Sequence, residues 1–253
     1  MVQPGQFLER SVVLKSGDLS LDALYHRGRR PPPCAISSPH PALGGSMTVP
    51  VIAELAWALT RAGFPTLRFD YRGVGASQGR SRHAAGEARI EDLSDEAEDL
   101  RSAVVQLLQS TRGKSACVIG YSFGAAVALA VAGDDAVERV VLVAPPTTLA
   151  DFSKLAGVRK PLLVVCAHHD RACDRSSLDL PEDAQLTVIA NADHSFVRGL
   201  PELGRTVAAW VGSGPERPDL PDAGGAANDL KPEGFREVEL PESAEPPLEL
   251  DDT

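Results

Sequence analysis

The chain has 253 residues, 43% of them apolar and 24% charged, which is ordinary for a soluble globular protein. Its formal net charge of −10 is concentrated at one end: residues 213–253 carry 12 acidic and 3 basic side chains, so residues 1–212 hold 23 against 22 and present no basic surface suited to nucleic acid. The first residues lack the basic and apolar regions of a signal peptide, and no run of about eighteen apolar residues exists to span a bilayer.

In chain order, residues 11–27 alternate apolar and polar around Lys15-Ser16-Gly17-Asp18, which predicts an antiparallel hairpin. A short apolar run, Cys34-Ala35-Ile36, ends in a Pro- and Gly-rich loop over 38–45. Helical periodicity through Val51, Ile52, Leu55, Leu59 and Ala62 predicts a helix over 49–62, closed by Gly63. A strand over 65–69 follows, with Asp70-Tyr71-Arg72-Gly73 just past its end. A charged amphipathic helix is expected over 87–109, its apolar stripe running from Ile90 to Leu108.

Residues 116–119, 140–143 and 162–166 are nearly all Val, Ile, Leu, Ala and Cys without alternation, as in strands buried on both faces. A small-residue helix over 125–132 separates the first two. A strand over 186–189 and a helix over 201–211 complete the pattern. An antiparallel hairpin followed by repeated βα units implies a mainly parallel α/β sheet with helices on both faces. Beyond Gly212 the composition shifts to Pro, Glu, Asp and Gly. That predicts one folded domain over 1–212 and an acidic, Pro-rich disordered tail over 213–253.

Gly120-Tyr121-Ser122-Phe123-Gly124 fits G-x-S-x-G between a buried strand and a helix that opens with Ala125-Ala126. In that context the serine occupies a tight strand-to-helix turn, and small flanking residues let the turn approach its neighbours. Ser122 is therefore the candidate nucleophile, and the Phe123 N–H at the helix start is aimed at a developing oxyanion. A serine hydroxyl needs a base. Of six histidines, His194 follows the last strand, at the sheet edge where doubly wound folds bind ligands. Asp170, just past the strand over 162–166, is the candidate acid in the order Ser, acid, His, with Asp174 as the fallback. Asp193 adjoins His194 and diverges from it, and Asp70 is read as a structural turn residue. The second oxyanion donor is expected in the loop over 38–45. Pro39 and Pro41 have no N–H, which leaves the His40 backbone first and Ala42 and Leu43 behind it.

The four cysteines, Cys34, Cys117, Cys166 and Cys173, have no CxxC spacing and read as packing residues in a reducing cytoplasm. His168, His169, Asp170, Cys173 and Asp174 lack a recognised ligand spacing, so neither a metal nor another cofactor is expected. Trp57 and Trp210 fall on helical stripes and are assigned to the core.

These residues resemble the small bacterial hydrolases of the α/β superfamily that lack a lid. Those carry H-P-H-P-x-x-G-G-x-M, then L-R-F-[ND]-[FY]-R-G-V-G-x-S, then G-Y-S-F-G. This chain has Pro39-His40-Pro41-Ala42-Leu43-Gly44-Gly45-Ser46-Met47, with Ser38 in place of the first histidine. It also has Leu67-Arg68-Phe69-Asp70-Tyr71-Arg72-Gly73-Val74-Gly75-Ala76-Ser77 and the motif at Gly120. The resemblance implies an α/β-hydrolase fold and catalytic roles at Ser122, Asp170 and His194. His168-His169 stands where the family has a Gly-containing turn.

Residues 144–161 leave room only for a short loop where a lid is often inserted, so an open site acting on a small acyl substrate is expected. An ester is the first expectation, with thioester and peptide cleavage left open. The alternative is a non-catalytic domain of the same fold whose acidic tail recruits a protein partner through Phe235, Val238 and Leu240.

Overall fold

The computed structural model describes residues 9–83 and 90–213. The expected tail over 213–253, apart from Ser213, lies outside the described residues, as do residues 84–89. Eight strands form one sheet in the order β1-β2-β4-β3-β5-β6-β7-β8. They are β1 (Arg10–Ser16), β2 (Leu19–His26), β3 (Cys34–Ser37), β4 (Thr66–Phe69), β5 (Ala116–Tyr121), β6 (Val137–Val143), β7 (Leu162–Ala167) and β8 (Gln185–Ile189). The β1–β2 and β2–β4 pairs are antiparallel and all others parallel, so the expected hairpin heads a mainly parallel sheet. β3, β5 and β7 are buried along their whole length, which explains their unalternated apolar sequences.

Helices α1 (Pro50–Arg61) and α4 (Leu200–Gly212) cover one face, and α2 (Ser94–Thr111) and α3 (Phe123–Ala130) the other. Pro50 starts α1 at a position whose N–H has no helical partner, and Val51, Ile52, Leu55 and Leu59 are turned onto the sheet, each 1% exposed or less. Burial of each such side chain stabilises the domain by roughly 1.5–3 kcal/mol. Between β6 and β7 the chain forms only a loop with a 3₁₀ turn, Ser153–Gly157, and no lid domain. Among the described residues no helix is long and apolar enough to cross a membrane.

Two expectations are corrected. The amphipathic stripe through Ile90 and Leu93 does not belong to α2. The Ile90 N–H donates to the Leu149 carbonyl and Ile90 bridges Ala150, while the Asp92 carboxylate takes the Ser94 N–H and opens the helix four residues later. Helical spacing alone cannot tell a helical turn from an extended segment whose apolar side chain packs beside it. Trp57 is not in the core but 43% exposed, with the Arg61 guanidinium 5.3 Å from its ring centroid. Trp210 is partly buried under Arg139.

One ion pair, joining the residue before β1 to β2 and β4, makes a pH prediction. Glu9 accepts from Arg68 Nε (2.7 Å) and lies 3.0 Å from His26 Nε2. Burial pushes its carboxyl up, but the hydrogen bonds from His26 and Arg68 overcome this and hold it down at about 2. A depressed native value stabilises the fold above the unfolded value near 4.5 and loses that contribution as pH falls toward 2. The expected result is that Glu9→Gln flattens the stability loss across this window while changing little of its shape near neutral pH. Urea unfolding midpoints at pH 3 and pH 6 for both proteins check it; parallel wild-type and variant curves contradict it.

Candidate functional site

The sheet order places a topological switch between β3 and β5. From β3 the chain crosses outward to β4, and β5 then returns to the opposite side of β3. Loops leaving the carboxyl ends of β3 and β5 therefore diverge and open a crevice. Ser37, the last residue of β3, is the register partner of Gly120 in β5, so the loop over 38–45 leaves beside the Ser122 turn.

Ser122 has φ 54° and ψ −120°, a conformation that a side-chain-bearing residue adopts only when its surroundings hold it there. Its N–H donates to Val143 (2.9 Å), and its carbonyl accepts from Ala125 (2.8 Å), pinning the turn to β6 and to the first turn of α3. A Cβ on Gly120 would lie 1.9 Å from the Gly124 carbonyl oxygen, and one on Gly124 would lie 2.4 Å from that of Ser37. The two glycines of G-x-S-x-G are thus the points where α3 crosses its own strand and meets β3.

The three residues of the expected triad converge. Ser122 Oγ lies 2.9 Å from His194 Nε2, and His194 Nδ1 lies 2.8 Å from Asp170 Oδ2. The Asp170 side chain is fully buried, and its Oδ1 accepts the Ala172 N–H at 2.8 Å. An Nδ1–H directed at this carboxylate leaves the lone pair of Nε2 facing the serine hydroxyl. The His168 and His169 N–H groups donate to Ile189 (3.1 Å) and Ala192 (2.9 Å), so backbone bonds to the end of β8 hold the acid turn without a glycine. The two rings lie with centroids 4.4 Å apart. Asp174, the fallback acid, instead caps a 3₁₀ turn, accepting from the Ser176 N–H at 3.0 Å. Asp193 Oδ1 accepts from Val197 N–H and turns away from the imidazole.

Tyr121 was not singled out by the sequence reading. Its hydroxyl donates to the His194 carbonyl at 3.0 Å, tethering the histidine loop to the residue before the nucleophile, and burial pushes the phenol up to about 12. Nothing local signals this, because the two residues are 73 positions apart.

In the β3 loop, the Ala42 N–H donates to His40 Nδ1 (3.2 Å) and the Leu43 N–H to the His40 carbonyl (3.1 Å). Both lower-ranked oxyanion donors are thus committed within the loop. The His40 ring meets the Phe123 ring edge-on at 5.0 Å. His83 also packs on Phe123 at 5.0 Å, with its Nε2 3.4 Å from buried Glu96. Burial pushes the Glu96 carboxyl up. Ser38, where the resembling proteins have histidine, donates to the Phe69 carbonyl at 2.9 Å and anchors the same loop to β4.

The second motif is scaffold. Asp70 Oδ1 accepts the Met47 N–H (2.6 Å) and the Asp70 carbonyl accepts from Ser77, as expected of a turn residue. Arg72 lies on fully buried Asp99 through Nη2 at 2.7 Å, and Ser16 also donates to that carboxylate, at 2.7 Å. Two large apolar side chains in these loops face solvent: Leu43 in the β3 loop, 67% exposed, and Val197 in the histidine loop, 80% exposed. Among the described residues, no group of three His, Cys, Asp or Glu side chains is arranged to hold a metal ion.

Residues 43–156 match the family model of the serine aminopeptidases S33, a span that includes Ser122 and stops short of Asp170 and His194. The chain is 27% identical over 157 residues to an uncharacterized protein of Rickettsia prowazekii (strain Madrid E), covering 59% of this chain. That alignment spans 62% of the relative's length, under two thirds. Among solved structures, an α/β serine hydrolase homologue from Coxiella burnetii superposes with a TM-score of 0.68 and 27% identity, over 79% of this chain and 96% of that one. An α/β serine hydrolase without a lid from Xanthomonas campestris gives 0.67 and 24%, over 85% and 100%. The chain has the α/β-hydrolase fold, without a lid, and is similar to these small bacterial proteins.

Proposed function

We propose that the protein is a serine hydrolase that cleaves a carboxylic ester or related acyl bond through an acyl-enzyme on Ser122. The observation that carries this reading is the unbroken chain Ser122 Oγ, His194 Nε2, His194 Nδ1, Asp170 Oδ2, with contacts of 2.9 and 2.8 Å. Ser122 attacks the carbonyl carbon as His194 takes its proton, and Asp170 stabilises the imidazolium. The Phe123 and His40 N–H groups hold the oxyanion. His194 then protonates the leaving alcohol, and water attacks the acyl-enzyme by the same base.

Leu43 and Val197 offer apolar contact to an acyl or alcohol group at an open site, which favours small esters over extended polymers. The matched family bears the name of an aminopeptidase, so an anilide belongs beside ester and thioester in the substrate panel. In this reading residues 1–212 are the hydrolase domain, and residues 213–253 take no part in the chemistry.

The first test is labelling with a fluorophosphonate. Wild type should label at one site, and Ser122→Ala should not label at all, with hydrolysis of p-nitrophenyl acetate lost in parallel. Folded wild type that takes up no probe would overturn the reading and favour a non-catalytic binding domain.

A further inference from the structure

The acid turn is bracketed by two thiols. Cys166 lies in β7, four residues before Asp170, and Cys173 lies three residues after it; both are buried, and their sulfurs are 3.5 Å apart. Their spacing of seven gave no motif in the sequence, and only the return of the turn over 167–172 brings them together. The contrast within the chain is Cys34 and Cys117, register partners on β3 and β5, both fully buried in the middle of the sheet. Cys173, by comparison, sits in a loop and retains 6% exposure.

We propose that Cys166 and Cys173 are a peroxide-oxidisable pair whose disulfide draws Asp170 off His194; the first half stands on the thiols alone, and the second deepens the hydrolase reading. One of the two thiols donates its S–H to the other sulfur across this 3.5 Å contact, and the accepting sulfur is the one that attacks. It attacks hydrogen peroxide, an S–O bond forms as the O–O bond breaks, and one water leaves. The other sulfur then displaces the sulfenic oxygen as a second water, forming the S–S bond. Two thiols lose two electrons and two protons, and one peroxide becomes two waters.

The sulfurs must close by about 1.5 Å to reach a disulfide bond length. Cys166 is fixed in the sheet, so the loop side has to move. Ala172, the residue next to Cys173, supplies the N–H that orients Asp170 Oδ1 at 2.8 Å, while its carbonyl is held by the Thr148 N–H and hydroxyl. Displacing Cys173 therefore turns the carboxylate that orients the imidazole.

The test treats the full chain with hydrogen peroxide and reads three signals: the Cys166–Cys173 peptide, two hydrogens lighter, by mass spectrometry; the downfield His194 Nδ1–H proton resonance; and the fluorophosphonate labelling rate. The expected result is a mapped disulfide, loss of the resonance, and labelling slowed at least ~10-fold, all reversed by dithiothreitol. Cys173→Ala should match reduced wild type in rate and lose the peroxide response. Either no disulfide under peroxide, or a disulfide with the resonance intact, overturns the proposal. Absent labelling of the reduced protein counts against the hydrolase reading alone, since the peptide and the resonance report without turnover.

Discussion

Asp170→Asn should lower turnover of an activated ester about 10⁴-fold while leaving the fold intact. The magnitude follows from which atom of the new amide faces which partner. The Ala172 N–H, 2.8 Å from Oδ1, needs an acceptor, so the amide oxygen takes that place and its NH₂ group takes the place of Oδ2, facing His194 Nδ1 at 2.8 Å. Two donors cannot face each other. The imidazole responds by carrying its proton on Nε2, which removes the lone pair from the side 2.9 Å from Ser122 Oγ. The nucleophile loses its base without any atom moving far.

Asp174→Asn serves as the control, because that carboxylate only caps the turn at Ser176. It should leave kcat within about twofold, as surface substitutions away from key features have small effects. Pre-steady-state labelling by fluorophosphonate and ester hydrolysis measure both variants. Retention of more than a tenth of the wild-type rate in Asp170→Asn would remove this residue from the mechanism.

Gly124→Ala should destabilise the domain by about 3 kcal/mol or more, with the activity of whatever remains folded also lost. Its Cβ would sit 2.4 Å from the Ser37 carbonyl oxygen and 2.6 Å from that of Ser38. Both atoms are backbone, in or next to a fully buried strand, so neither can swing aside as a flexible side chain would. The relief available is to push α3 away from β3, which separates Phe123 from the His40 loop and opens the proposed oxyanion site.

Gly120→Ala meets the Gly124 carbonyl at 1.9 Å and should be at least as severe. Gly157→Ala is the matched control, with nothing within 4 Å of its Cβ and no left-handed φ, and should be neutral or slightly stabilising. For a domain of this size, 3 kcal/mol corresponds to a fall in melting temperature of roughly 6–12 °C. Melting curves that place Gly124→Ala within about two degrees of wild type would show that the turn has more room than these distances allow.

The sequence by itself determined a great deal here, and the reason is local. Strands β3, β5 and β7 are buried on both faces, as is the Val140–Val143 run of β6, and that demand writes unalternated apolar runs. The Ser122 turn was legible because a strained strand-to-helix junction restricts residue types within five consecutive positions. The approach of His194 and Asp170 to Ser122 was legible because chain order places each just past a strand end, where the carboxyl edge of a parallel sheet gathers its loops. Ile90 was misread because helical spacing is a one-dimensional signal, and a bridge to Ala150 leaves no mark in it.

What the tertiary structure alone decided are relations between residues far apart in the chain. Tyr121 holding the His194 loop spans 73 positions, and Ser38 bonding the Phe69 carbonyl spans 31. His83 meets the Phe123 ring across 40 positions, and Trp57 is exposed because α1 turns only one face to the sheet. The Cys166–Cys173 contact closes through the turn between them, which their spacing of seven does not signal. Apolar periodicity and turn chemistry are set by each residue's neighbours in sequence, whereas polar contacts of this kind are set by which loops the sheet order brings side by side.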